Sequence, residues 1–241
     1  MNYGYVESPA TPAIPLQEAD EPDRLCIQLY DRIARPADLR GCDVLEVGSG
    51  RGGGSSYVMR YLGPASVVGA DFSAEAVSFC TRNRIVPGLR FAEGDAEALP
   101  FPDASFDAVL NVESSHCYGS MAGFLSEVHR VLRPGGRFLF ADFRPADRLA
   151  ELRHQFVACP MELIEEEIIT SNVVAALEQD STRKVGLIRQ YVPRWLRGPF
   201  SRFAGTEGSR TYEQFKSRQT EYLRCVLRKD DCVPPPGGAC P

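Results

Sequence analysis

A chain of 241 residues with 44% hydrophobic and 24% charged residues has an ordinary globular composition, enough for one α/β core with a modest insertion. Its 32 acidic against 27 basic residues, a formal charge of −5, exclude the clustered basic surface that wraps nucleic acid, so no nucleic-acid partner is expected. With no basic region ahead of an apolar core at the N-terminus, and no apolar run near the ~18 residues of a spanning helix, a cytoplasmic protein without membrane insertion is expected.

Residues 1–20 mix proline and glycine with polar and small apolar residues, and a flexible segment is expected there unless a ligand or a lid fixes it. Leu25, Ile27, Leu29, Tyr30 and Ile33 suit a helix over 21–34, stopped by Pro36. Short apolar strands then alternate with helices: strand 43–47, helix 53–62, strand 66–70, helix 73–83 capped by Ser73, strand 89–93. Residues 106–112 read as a fourth strand, 120–132 as a helix, Pro134, Gly135 and Gly136 as a turn, and 137–142 as a fifth strand. Such alternation implies right-handed βαβ units and a parallel sheet with helices on both faces.

A helix near 147–157 and an imperfectly alternating stretch at 161–169, taken as strand, come next. Thr170 or Ser171 is the expected N-cap of a helix over 172–191, and residues 170–215 are long enough for a helical lid that builds the substrate side. In residues 220–228, Tyr222, Arg224 and Val226 alternate with Leu223, Cys225 and Leu227, the pattern of a last strand. Residues 230–241 contain five consecutive Pro or Gly and are expected to be a flexible tail, leaving 21–229 as one domain. The eight cysteines form no CxxC pair and the three histidines stand apart, so reduced thiols and no metal are expected.

The run DVLEVGSGRGGG puts Gly48, Gly50 and Gly53 in GxGxxG spacing between a strand and a helix, with Ser49 inside the loop and Asp71 ending the next strand. In that context the glycines permit a tight turn and close approach to a nucleoside. Asp71 can accept hydrogen bonds from both ribose hydroxyls, in a dinucleotide or an adenosyl cofactor alike. Glu46 discriminates: two residues before the first glycine, it would repel a pyrophosphate and favour the positive methionyl end of S-adenosylmethionine. Its bland alternative is a solvated or capped glutamate. Asp95 follows Gly94 at a strand end, where its carboxylate suits an adenine amino group and the Ala96 backbone offers a donor, although the pair alone makes only a good turn.

Together the ordered motifs EVGSG (46–50), GADFS (69–73), GDAEALPFPDASFDAV (94–109) and EVHRVLRPGGRF (127–138) resemble the class I S-adenosylmethionine-dependent methyltransferases over about residues 40–142. The resemblance implies a Rossmann-like, seven-stranded, mostly parallel sheet whose last strand is antiparallel, with S-adenosylmethionine as cofactor. It implies Glu46, Gly48 and Gly50 around the methionyl portion, Asp71 on the ribose, Phe72 against adenine, and Asp95 and Ala96 at the adenine edge. Ser49 and Gly94 join these as cofactor-binding residues, and Asn111, ending the fourth strand, faces the cofactor. A core aromatic is the competing reading of Phe72.

Methyl transfer from a sulfonium is a direct displacement, so alignment matters most, with a base where an alcohol or phenol attacks. The segment NVESSHCYG leaves the fourth strand at the sheet edge where open α/β sheets bind ligands. His116 is therefore the candidate base, with an unperturbed pKa of about 6.5; Glu113 is assigned to orient it or to help hold the cofactor, and Tyr118 to the substrate region. His129 and His154 fall on predicted helices and read as structural.

This stretch and ITSNVVAAL are similar to phthiotriolone and phenolphthiotriolone dimycocerosate O-methyltransferases and to polyketide-antibiotic O-methyltransferases. That similarity implies a hydroxyl or phenol of a hydrophobic natural product as the small-molecule acceptor. N- or C-methylation of a small metabolite stays open, as does a non-catalytic cofactor-binding subunit. A nicotinamide-dependent oxidoreductase is favoured only by the glycine spacing, and Glu46 opposes it.

Overall fold

The computed structural model describes residues 2–196 and 205–231. Five strands, β1 (Asp43–Val47), β2 (Ser66–Asp71), β3 (Leu89–Glu93), β4 (Phe106–Val112) and β5 (Leu132–Pro145), run parallel to one another. β7 (Thr220–Lys229) inserts antiparallel between β5 and β6 (Met161–Ile168), which gives the sheet order β3-β2-β1-β4-β5-β7-β6. The Rossmann-like, seven-stranded, mostly parallel architecture expected from the motifs is the one observed.

Helices α1 (Arg24–Ala34), α2 (Gly53–Tyr61), α3 (Ala74–Asn83), α4 (Met121–Val131), α5 (Leu149–Ala158), α6 (Thr170–Tyr191) and α7 (Arg210–Lys216) complete the described residues. The central strands are apolar on both faces because both are covered. Val44, Leu110, Leu139 and Tyr222 pack with Ile33 of α1 on one side; Leu45, Val109, Phe138 and Phe140 pack with Phe124 of α4 and Phe156 of α5 on the other. This period-two division places successive residues of one strand in two separate cores. Ser73, Ser120 and Ser209 cap α3, α4 and α7, each accepting a first-turn backbone N–H.

Three expectations change. Thr170 does not cap α6 but begins it: its hydroxyl accepts the Tyr222 N–H at 2.8 Å and donates to Glu221, so a neighbouring strand takes the group a cap would use. Pro134, Gly135 and Gly136 are not a turn ahead of β5 but a bulge inside it. Phe106 pairs with Leu132 and Ala108 with Arg137, and Gly135 absorbs the extra chain at φ +73°.

The third concerns the N-terminal residues, expected to be flexible, which are instead packed. Tyr5 and Ile14 are buried, the Tyr5 N–H donates to the Leu25 carbonyl at 3.0 Å, and Val6 exchanges hydrogen bonds with Asn172 of α6. Contacts with the segment anticipated as a lid thus hold the chain's start. The expected tail lies outside the described residues from position 232 on, as do residues 197–204 of the lid segment.

Candidate active site

A cavity of about 740 Å³ opens at the carboxyl ends of β1, β2 and β4, where the strand order reverses between β1 and β4. Gly48, Ser49, Gly50, Asp71 and Phe72 line it from the first two strands, and Gly94, Asp95 and Ala96 from the loop after β3. Glu113 and Tyr118 line it from the loop after β4, whereas Glu46, Asn111 and His116 do not reach it.

The β1–α2 loop is shaped for close approach. Gly48 lies at φ +77°, and a Cβ there would meet the Ser114 hydroxyl at 1.8 Å, so no larger residue fits. Gly50, at φ +52°, has open space where its Cβ would stand and donates its N–H to Asp71 Oδ2 at 2.7 Å. Asp71 Oδ1 accepts the Ser73 N–H at 3.0 Å, so the carboxylate is held on both sides while each oxygen keeps a further lone pair. The Ser49 hydroxyl is buried without a partner among the described residues. A buried hydroxyl of that kind calls for a bound group. Phe72 is 77% exposed at the rim, an uncovered ring and not a core aromatic.

Two expected contact residues stand one layer back. Glu46, 1% exposed, accepts hydrogen bonds from Tyr30 at 2.5 Å and from Ser55. Burial lifts its carboxyl above the ordinary range against the pull of those two hydroxyls. Tyr30, not Glu46, reaches the cavity wall. Asn111, expected to face the cofactor, is fully buried and donates to the Val47 carbonyl at 3.0 Å and to Tyr118 Oη at 2.9 Å. It sets the position of Tyr118, whose hydroxyl also lies 2.5 Å from Ser114 Oγ and whose pKa burial raises.

Glu113 does not touch His116. At φ +47° its side chain turns toward the N-terminal segment, where Oε1 accepts the Tyr3 N–H at 2.8 Å and the Tyr222 hydroxyl at 3.0 Å. Burial pushes its carboxyl up to about 7.

The partner of His116 is Asp142, which the sequence reading missed. Nδ1 lies 2.8 Å from Asp142 Oδ1, and the His116 backbone N–H donates to Oδ2 at 3.0 Å. Asp142 is wholly buried, also accepting from Ser115 Oγ at 2.6 Å, with the Arg144 guanidinium at 3.2 Å. Burial opposes its ionisation, but His116, Arg144 and Ser115 prevail and hold the carboxyl below its usual range. Burial likewise opposes charging of His116, and the Asp142 hydrogen bond and charge outweigh it, raising the imidazole pKa. Phe143 braces the ring, centroid to centroid at 4.4 Å. The available signal was register: β4 and β5 pair Val112 with Ala141, which brings the residues just beyond side by side.

The methyltransferase domain family matches residues 45–140. Over 229 residues the chain is 42% identical to a fatty-acid O-methyltransferase of Mycolicibacterium smegmatis, covering 95% of this chain and 82% of that one. It belongs to the S-adenosylmethionine-dependent methyltransferases. Another relative is the phthiotriol/phenolphthiotriol dimycocerosates methyltransferase of Mycobacterium tuberculosis, 40% identical over 95% of this chain and 85% of that one. Among solved structures, geranyl diphosphate C-methyltransferase from Streptomyces coelicolor A3(2), with S-adenosyl-L-homocysteine, superposes with a TM-score of 0.67 at 15% identity. That match covers 95% of this chain and 92% of the other. The cyclase SpnF gives 0.69 at 20% identity over 95% and 88%. At such identities these two share the fold alone.

For a methyltransferase the cavity's donor set fits its cofactor. A tight glycine loop, a serine hydroxyl without a partner among the described residues, the Asp71 carboxylate with free lone pairs and an open aromatic at Phe72 line one cavity. Bound there, S-adenosylmethionine supplies a methyl carbon activated by its sulfonium.

Proposed function

We propose that this methyltransferase methylates an oxygen at the polar end of a lipid-like acceptor, with His116 as general base. The reading is carried by the hydrogen bond between the buried Asp142 and the partly exposed His116 at the carboxyl edge of β4 and β5. The two mycobacterial relatives, named for fatty-acid and dimycocerosate acceptors, support the acceptor class.

In this reading Gly48, Ser49 and Gly50 hold the methionyl portion, Asp71 the ribose, and Phe72, Gly94, Asp95 and Ala96 the adenine. Glu46 acts through Tyr30, which it fixes by hydrogen bond, and Asn111 acts through Tyr118 on the substrate side. Nδ1–H donated to Asp142 leaves Nε2 as the basic atom of His116, so the imidazole takes the proton of an attacking hydroxyl while Asp142 stabilises the charge that forms. His116 does not line the cavity, though Ser114 and Cys117 beside it do, so the ring meets an acceptor from the edge of the site.

A panel of long-chain fatty acid, long-chain alcohol, long-chain alkylphenol and short phenol tests both halves of the proposal. The wild type is expected to methylate the long-chain acceptors far faster than the short phenol. His116→Ala is expected to keep cofactor affinity and lose roughly 100-fold on alcohol and phenol. It should lose less on the fatty acid, because a carboxylate is already ionised at neutral pH and needs no base. Unchanged alcohol turnover in the variant would remove His116 from the mechanism.

A further inference from the structure

Asp142 has more partners than the orientation of one histidine requires. Oδ1 faces His116 Nδ1 at 2.8 Å and accepts the Phe143 N–H at 2.8 Å. Oδ2 accepts from Ser115 Oγ at 2.6 Å and from the His116 N–H at 3.0 Å, with Arg144 Nη1 at 3.2 Å. A general base at His116 needs the imidazole contact; the guanidinium has no task in it. Arg144 is nonetheless firmly seated. Its side chain is 15% exposed, Nη1 also donates to the Phe143 carbonyl at 2.7 Å, and Nη2 donates to Ser115 Oγ at 2.7 Å. Ser115 thus accepts from Arg144 and donates to Asp142, so the cation reaches the carboxylate directly and through one hydroxyl.

Charge balance in a buried place gives the guanidinium a task. Asp142 has no exposed surface, and a carboxylate buried beside a single histidine is neutralised by charging that histidine. The ring would then be stored as imidazolium, the form that cannot accept a proton. With Arg144 on Oδ2 the carboxylate is already balanced while the imidazole is neutral, so Asp142 can orient the ring without protonating it. The directions agree: Arg144 favours the ionised form of Asp142 and disfavours the charged form of His116.

The ionisable groups that bear on the pair from neighbouring elements are Glu113 past the end of β4, Tyr118 in the same loop, Tyr222 on β7 and Tyr3 in the N-terminal segment. All are acids, and none can balance a carboxylate. Glu221, opposite Arg144 on β7, does not draw the guanidinium away: its carboxylate is engaged by Arg218 at 2.9 Å and by Thr170. Arg144 follows Asp142 by two positions on β5, so both side chains leave the same face of the strand.

We propose that Arg144 is a positioning residue for methyl transfer: it supplies the countercharge of Asp142, so that Asp142 holds the His116 ring in place and the ring stays free to accept a proton. The proposal rests on the general-base reading of His116 for its purpose; the charge balance is argued from Arg144, Ser115 and Asp142 themselves.

Histidine titration followed by NMR reads this balance without any turnover, because the chain has three histidines and His129 and His154 serve as internal references. With S-adenosylhomocysteine present, Arg144→Gln is expected to move the His116 titration to higher pH and to leave the other two in place. Arg144→Met, a second neutral variant of similar length, should do the same. Arg144→Lys, which keeps the charge, should titrate near the wild type. Melting temperature and S-adenosylhomocysteine affinity confirm the fold of each variant. With a long-chain alcohol as acceptor, the acid limb of kcat/KM should move to higher pH in the neutral variants. Their loss relative to the wild type should be at least about threefold larger near pH ~6 than above ~8. An unmoved or lowered His116 titration in the neutral variants, or a lysine variant that titrates as they do, would overturn the proposal. A raised His116 titration with an unmoved acid limb would support the charge balance at Arg144 and remove His116 as the base.

Discussion

At the scale of single residues, the placing of His116 in the loop after β4 was legible and its hydrogen-bond partner was not. His116 stands in the loop after an apolar strand, at the sheet edge where open α/β sheets bind ligands. Glu113, nearer in sequence, was the natural partner to assign. A positive φ, invisible in sequence, turns it to Tyr3 and Tyr222 instead, and Asp142 arrives through the pairing of β4 with β5. The pair can be tested by pH. Asp142 raises the His116 pKa, so the base form appears as pH rises through that raised value. Asp142→Asn should move the acid limb of kcat/KM to lower pH and reduce the plateau by at least about tenfold, since the amide no longer stabilises the imidazolium. An acid limb that stays in place would dissociate Asp142 from the titration.

At the scale of elements, periodicity made most of the sheet readable. β1 through β4, and β7 with its alternating Tyr222 to Leu227, needed only apolar spacing and turn residues. The N-terminal segment has no period because no repeating face holds it. It is fastened at separate points, among them the Tyr3 N–H on Glu113, Val6 on Asn172, and Tyr5 on Leu25. The Glu113 fastening can be weighed. Glu113→Ala strands the Tyr222 hydroxyl and the Tyr3 N–H, and should cost about 1–3 kcal/mol in urea unfolding. Glu113→Gln keeps an acceptor oxygen and should cost distinctly less. Equal losses would show that the two hydrogen bonds contribute nothing.

For the whole molecule, the perturbed groups set a direction for stability against pH. Folding raises the Glu113 carboxyl to about 7 from 4.5, so its contribution is full below about 4.5 and lost as pH climbs to about 7. His116, also raised, contributes fully below 6.5 and loses that stabilisation as pH passes its folded value. Asp142, lowered from 3.8, contributes above that value and loses its share as pH falls through the folded one. Melting temperature should therefore peak on the acid side of neutral and decline toward pH 8. Glu113→Gln should flatten the part of the decline between 4.5 and about 7. A wild-type profile flat across that window would contradict the assignment.

The chain of hydrogen bonds from the Val47 carbonyl through Asn111 and Tyr118 to Ser114 ties the loop after β1 to the loop after β4 behind the cavity wall. The crevice between the two halves of the sheet is thereby stitched at its base, and the side that carries the glycine loop behaves as a fixed chassis. In the opposite wall α1 is bedded in the core through Leu29 and Ile33, whereas the N-terminal residues ahead of it are held at separate points. Exchanging side chains in that N-terminal segment can therefore reshape one side of the crevice and leave its stitched base as it is.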